Sequence, residues 1–227
     1  AMASIPVRAK AGRAPGWPTR YATLTLNWNG RYGFDASACR ETVAFPPAGG
    51  VGQERRLLWF ENFSTADSLS TWSMTGAVSR SAARSGDPAL RLENDASASC
   101  VLKEPVAGDF QVEFDVTVAS DKMFAARLFG PDGREVFGVY QHNNGHAIVW
   151  TSQAEIEGFP IATANRSVHM GLARIGQRVT LTVRQTDGAE RTWNFDGQSA
   201  APVERLMFVT CYGSALWDNL VLTAAGA

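Results

Sequence analysis

The segment FQVEFDVTV, residues 110–118, decides the fold. Successive side chains of an extended chain point to opposite sides, so its residues sort into two faces. Phe110, Val112, Phe114, Val116 and Val118 share one side, and Gln111, Glu113, Asp115 and Thr117 the other. RVTLTVR, residues 178–184, repeats the pattern, with Val179, Leu181 and Val183 opposite Thr180, Thr182 and Arg184. Each reads as a strand with one face in a core and one wetter face. The wetter face of one sheet can form a concave groove.

Working outward, further apolar or alternating segments follow from Leu57 to Thr223, separated by turn signals such as GPDGRE, HNNGH and TDGAE. They recur roughly every 10–12 residues with no convincing helix, which predicts an antiparallel sandwich or barrel and not a parallel βαβ fold. The fold class is therefore all-β and antiparallel. Residues 1–56 differ. AGRAPGWP and FPPAGGVGQERR are rich in chain breakers, with YATLTLNW and ETVAF between them as possible strands. They read as an N-terminal extension with a possible hairpin, and 57–227 as the jelly-roll domain.

Composition narrows the function. The chain has 227 residues, 45% of them hydrophobic, with seven tryptophans and twelve phenylalanines, which suits an aromatic core. A formal net charge of −1 argues against nucleic acid or an anionic membrane surface as main partner. No apolar run approaches ~18 residues, so no membrane insertion is expected. Ala1–Met2 reads as a cloning scar, and no secretory leader follows it. The cysteines are Cys39, Cys100 and Cys211, an odd number without zinc-site spacing. Buried free thiols are one reading, a Cys100–Cys211 bridge the other. There is no phosphate-binding glycine loop, no G-x-S-x-G and no HExxH.

The sequence resembles the concanavalin A-like jelly-roll superfamily. LLWFENFSTADSLSTWSMTG (57–76) is similar to the opening of such domains, SGDPALRLEN (85–94) to their second strand and GDFQVEFDVTV (108–118) to the strand after it. CYGSALWDNLVLT (211–223) is similar to the closing strand. The superfamily includes 3-keto-disaccharide hydrolase-like domains, carbohydrate-binding modules, glycoside hydrolases and polysaccharide lyases. The resemblance therefore implies a two-sheet antiparallel jelly-roll sandwich more than an activity.

The candidate binding residues centre on VYQHNNGHAIVW, residues 139–150. A two-residue turn at Asn144–Gly145 would put His142 and His146 on opposite sides. A three-residue loop over Asn143–Gly145 would pair positions summing to 288. It would gather Tyr140, His142, His146 and Trp150 on one face, leaving Phe137, Val139, Ala147 and Val149 as a clean apolar set. The second register is favoured. Aromatic rings and imidazoles on one face offer a sugar both a stacking surface and polar edges. Arg127 alternates onto the same wet side and either contacts the sugar or forms an ion pair with Glu113 or Asp115.

Three further readings stay open. Glu113 and Asp115 match the first two places of the Glu-x-Asp-x-x-Glu signature of laminarinase-like hydrolases, but Val118 stands where the acid/base glutamate belongs. Retaining hydrolysis needs its two carboxylates about 5 Å apart. A lyase would use Tyr140, His142 or His146, and Arg127, although Gln141 and His142 lack the spacing of alginate-lyase-like domains. The resemblance also implies a structural calcium, with Glu61 and Asp218 as ligands and carbonyls near Ser85–Asp87 completing an oxygen shell. Otherwise these two cap or pair locally.

The reading adopted is a non-catalytic domain that binds a poly- or oligosaccharide on a concave sheet face through Tyr140, His142, His146, Trp150, Arg127 and Glu113. The alternatives are a saccharide-active enzyme and an assembly module whose residues 1–56 meet a protein partner or another copy. A saccharide ligand goes with an extracytoplasmic or secreted setting; the sequence leaves the cytoplasm open.

Overall fold

The alternating segment forms a strand over Phe110–Val118, and its apolar side is buried in the core. The computed structural model describes residues 55–82, 88–119, 123–142, 147–151, 154–156, 161–162 and 165–225. The possible hairpin in residues 1–56 falls almost wholly outside them.

Thirteen strands are described. They are β1 Arg55–Glu61, β2 Trp72–Ala82, β3 Pro88–Val106, β4 Phe110–Val118, β5 Met123–Phe129, β6 Glu135–Gln141 and β7 Ala147–Val149. After them come β8 Ala154–Ile156, β9 Ser167–Ile175, β10 Arg178–Gln185, β11 Glu190–Phe195, β12 Val203–Cys211 and β13 Ser214–Ala225. Every pairing is antiparallel, in the order β11-β10-β9-β4-β13-β3-β12-β5-β6-β7-β8, with β1 beside β13 and β2 beside β3. The only helical piece among the described residues is a 3-10 turn over Ala66–Thr71, so none of them forms a helix long and apolar enough to cross a membrane.

This continuous ladder is folded into two layers at one corner. The early part of β3 pairs with β13 (Leu90 with Trp217), and its later part pairs with β12 (Cys100 with Leu206). Between them Asn94 and Asp95 take φ of 44° and 62°, and Asn94 N–H donates to Gly213 O across the β12–β13 turn. Asn and Asp tolerate this left-handed backbone better than other non-glycine residues. Residues 88–106 are therefore one long bent strand. β2 carries no alternation, being exposed along most of its length, so periodicity could not reveal it.

The layers meet through aromatic rings. Trp217 of β13 is fully buried and stacks on Phe208 of β12 at 4.1 Å, 16° between planes. Phe114 of β4 meets the same Phe208 edge-on at 5.2 Å, and Phe124 of β5 meets Trp217 at 5.6 Å. Each such side chain contributes about 1.5–3 kcal/mol by leaving water. β11, β10, β9, β4, β13 and the start of β3 thus form one layer. The rest of β3 with β12, β5, β6, β7 and β8 forms the other.

The same geometry disposes of the Cys100–Cys211 bridge. Both thiols are free. Cys100 pairs with Leu206 and faces the core, whereas Cys211 pairs with Met123 on the outward side of the second layer. One sheet thickness separates them, beyond the reach of a disulfide.

Candidate functional site

The outward side of the second layer carries the aromatic cluster. β6 and β7 pair Val139 with Val149, Tyr140 with Ile148 and Gln141 with Ala147, the register in which positions sum to 288. Trp150 extends it, its N–H donating to Gly138 O at 2.8 Å. Phe137, Val139, Ala147 and Val149 are buried, as the clean apolar set requires. Tyr140 and Trp150 come together outside, with ring centroids 5.4 Å apart. Trp150 keeps 52% of its surface exposed. His142 lies just past the end of β6 and is partly exposed, and His146 lies outside the described residues.

Arg127 of β5 joins these rings. It pairs with Gly138 across the ladder, and its guanidinium carbon lies 5.7 Å from the Tyr140 ring centroid and 4.8 Å from that of Phe129. Its ion-pair partner is neither Glu113 nor Asp115. Glu135 Oε2 accepts from Arg127 Nε at 3.0 Å and from Nη2 at 2.5 Å. Simple alternation would send Glu135 inward with Phe137 and Val139. A β-bulge at the start of β6, where Phe129 pairs with Glu135 and Leu128 with Phe137, turns its carboxylate outward. Gly138 makes room for it: a Cβ there would run into Glu135 Oε1. Burial, and next the Glu135 charge, push the Tyr140 phenol above its ordinary value.

Gln141 points inward, away from its neighbours in sequence. Its amide Nε2 donates to Ala162 O at 2.7 Å, and its Oε1 accepts from Ala162 N–H at 2.6 Å. It ties the segment with buried Ile161 and Ala162 over the end of the core.

Glu113 is not on this face. It lies with Asp115 on the outward side of the first layer, where His169 of β9 sits between them. His169 Nδ1 is 2.9 Å from Asp115 Oδ1, and Nε2 is 3.4 Å from Glu113 Oε1. Asp115 Oδ2 accepts from Asn219 Nδ2 at 2.8 Å, placed by a bulge in β13 where Asn219 has φ 51°. Burial alone would lower the His169 pKa; its hydrogen bonds to the accepting carboxylates of Asp115 and then Glu113 outweigh that and hold it up at about 9. The row continues across the sheet, His169 opposite Arg184 and Arg184 opposite Glu190, which accepts its Nε–H at 2.6 Å. Val118 is buried in the core, so no carboxylate stands at the third position of the hydrolase signature.

Glu61 and Asp218 each accept a nearby backbone N–H. Glu61 Oε1 accepts Phe63 N–H at 2.7 Å, steadying a residue with φ 54°, and Asp218 Oδ1 accepts Asn219 N–H at 2.8 Å. Among the described residues no group of three or more His, Cys, Asp or Glu side chains is arranged to hold a metal ion. Ser85–Asp87 lie outside them.

Sequence reading missed Glu135, hidden by the bulge, and His169. Alternation does place His169 outward in VHMGLARI, but only the β4–β9 pairing supplies its two carboxylates.

No protein-family model matches the sequence, and no curated protein sequence matches it. Solved structures do. The lectin UEA-II, in complex with galactose, aligns with a TM-score of 0.53 at 10% identity over 74% of this chain and 97% of the lectin. The CBM2 module of the evolved Dit of Lactobacillus casei BL23 phage J-1 aligns with a TM-score of 0.54 at 14% identity, over 78% of this chain and 99% of that module. The fold is the antiparallel jelly roll that these structures share. A sialidase also contains this jelly roll (TM-score 0.55, 11% identity, 72% of this chain), but the match spans only 18% of the sialidase's own length. At such identities the likeness speaks for the jelly roll and not for a ligand.

Proposed function

We propose that this jelly roll is a non-catalytic carbohydrate-binding domain whose ligand lies on the outward face of the second layer, against Trp150, Tyr140 and Arg127, with His142 at the rim. One observation carries the reading: Trp150 is half exposed, beside Tyr140 at 5.4 Å and next to an oriented guanidinium. A flat ring held open to solvent stacks on the apolar face of a sugar, and N–H donors alongside it bind the hydroxyls. The lectin and carbohydrate-binding neighbours lend support. A lyase base would want a lowered phenol pKa, and that of Tyr140 is raised.

Affinity electrophoresis of the full chain through gels containing single polysaccharides tests this. Retardation in at least one gel is expected, with Trp150→Ala weakening it roughly tenfold or more. Unsaturated products or new reducing ends in the same mixtures would make the domain an enzyme. Unchanged retardation of Trp150→Ala would move the site elsewhere.

A further inference from the structure

The strip that holds Trp150 continues past Arg127 to a second arginine. Arg205 of β12 pairs with Phe129 across the ladder, and its guanidinium carbon lies 4.4 Å from the Phe129 ring centroid. Both guanidinium groups therefore pack against the same Phe129 ring. Their electrostatics differ. Arg127 is neutralised by Glu135. Arg205 is partly exposed, and among the described residues no carboxylate pairs with it.

Of these two cations, only Arg205 keeps an uncompensated charge among the described residues. Two guanidinium groups near one ring repel each other, and the Phe129 face offsets this only in part. An anion beside Arg205 would complete what Glu135 completes for Arg127. A planar guanidinium carries its N–H donors in a fork that carboxylate, sulfate and phosphate oxygens accept.

We infer that the saccharide this face takes is acidic, with Arg205 contacting its anionic group while Trp150 and Tyr140 stack on its ring. The inference rests on the carbohydrate-binding reading and narrows it to one ligand class.

Matched polymers separate the two claims. The full chain is run in affinity gels with polygalacturonate, alginate and hyaluronate, and with their carboxyl-esterified forms, which keep the backbone and lose the charge. At least one acid form is expected to bind roughly tenfold tighter than its ester. Added salt should shrink that preference. Arg205→Gln should abolish the preference and leave ester binding unchanged, Arg205→Lys should retain part of it, and Trp150→Ala should weaken both forms. Circular dichroism confirms that each variant is folded. Equal binding of acid and ester, or a preference that Arg205→Gln leaves intact, overturns the inference while the site at Trp150 stands. Retardation by neutral polymers alone does the same. Silence in every gel overturns both.

Discussion

His169 Nδ1 lies 2.9 Å from Asp115 Oδ1, a contact between residues 54 apart in the chain that holds a buried imidazole in its charged form. Its folded pKa is about 9 against an ordinary 6.5. A raised folded pKa gives stability that is complete below the unfolded value and is lost as pH rises through the folded one. The difference in unfolding free energy between wild type and His169→Gln should be largest near or below pH 6.5 and shrink as pH passes about 9. Its size should be on the order of 3 kcal/mol or less. Urea titrations across that range measure it, and a pH-independent difference would refute the charged clamp.

Gly138→Ala should unseat Glu135. The added Cβ meets Glu135 Oε1, so the carboxylate must leave its place beside Arg127. A loss of about 1–3 kcal/mol in stability is expected, the usual cost of overpacking, together with weaker polysaccharide retardation. Chemical denaturation and the affinity gels read the two effects separately. Stability and retardation equal to wild type would mean that the pair is not held by the space at Gly138.

Trp217 joins the layers. Trp217→Ala should cost about 3–5 kcal/mol, because the stacked Phe208 and the edge-on Phe124 lose their partner. Trp217→Phe should cost less, since the buried Trp217 Nε1 has no hydrogen-bond partner to lose. Denaturation midpoints followed by near-ultraviolet circular dichroism rank the variants. The reverse order would place the joint elsewhere.

Gln141→Ala removes both hydrogen bonds to the Ala162 backbone and leaves that peptide's N–H and C=O unpaired in a buried place. About 1–3 kcal/mol of stability should go, with faster amide exchange at Ala162. Hydrogen exchange by mass spectrometry resolves the local effect. Unaltered exchange there would show that the segment is held by other contacts.

How much of this was legible follows from the range of each signal. FQVEFDVTV alone assigns its inward and outward sides, and the inward side is as read, while Glu113 on the outward side is buried beside His169. The β6–β7 register was also legible, because slipping it by one residue would turn Val139 and Val149 out of the core. Glu135 was not, since a single bulge reverses the alternation before Phe137. Nor was β2, an exposed strand that pairs with β3 through its backbone.

By itself the sequence determined the all-β class, the inward and outward sides of β4 and β10, and one hairpin. These depend on a two-residue period that the backbone imposes locally. Only the tertiary structure decided which outward side chains meet. It bent β3 at Asn94–Asp95, set Glu113 and Asp115 against His169 on one layer, and set Arg127 against Glu135 and Phe129 on the other. The physical reason is that these partners belong to different strands, and strand neighbours are chosen by how the whole core packs.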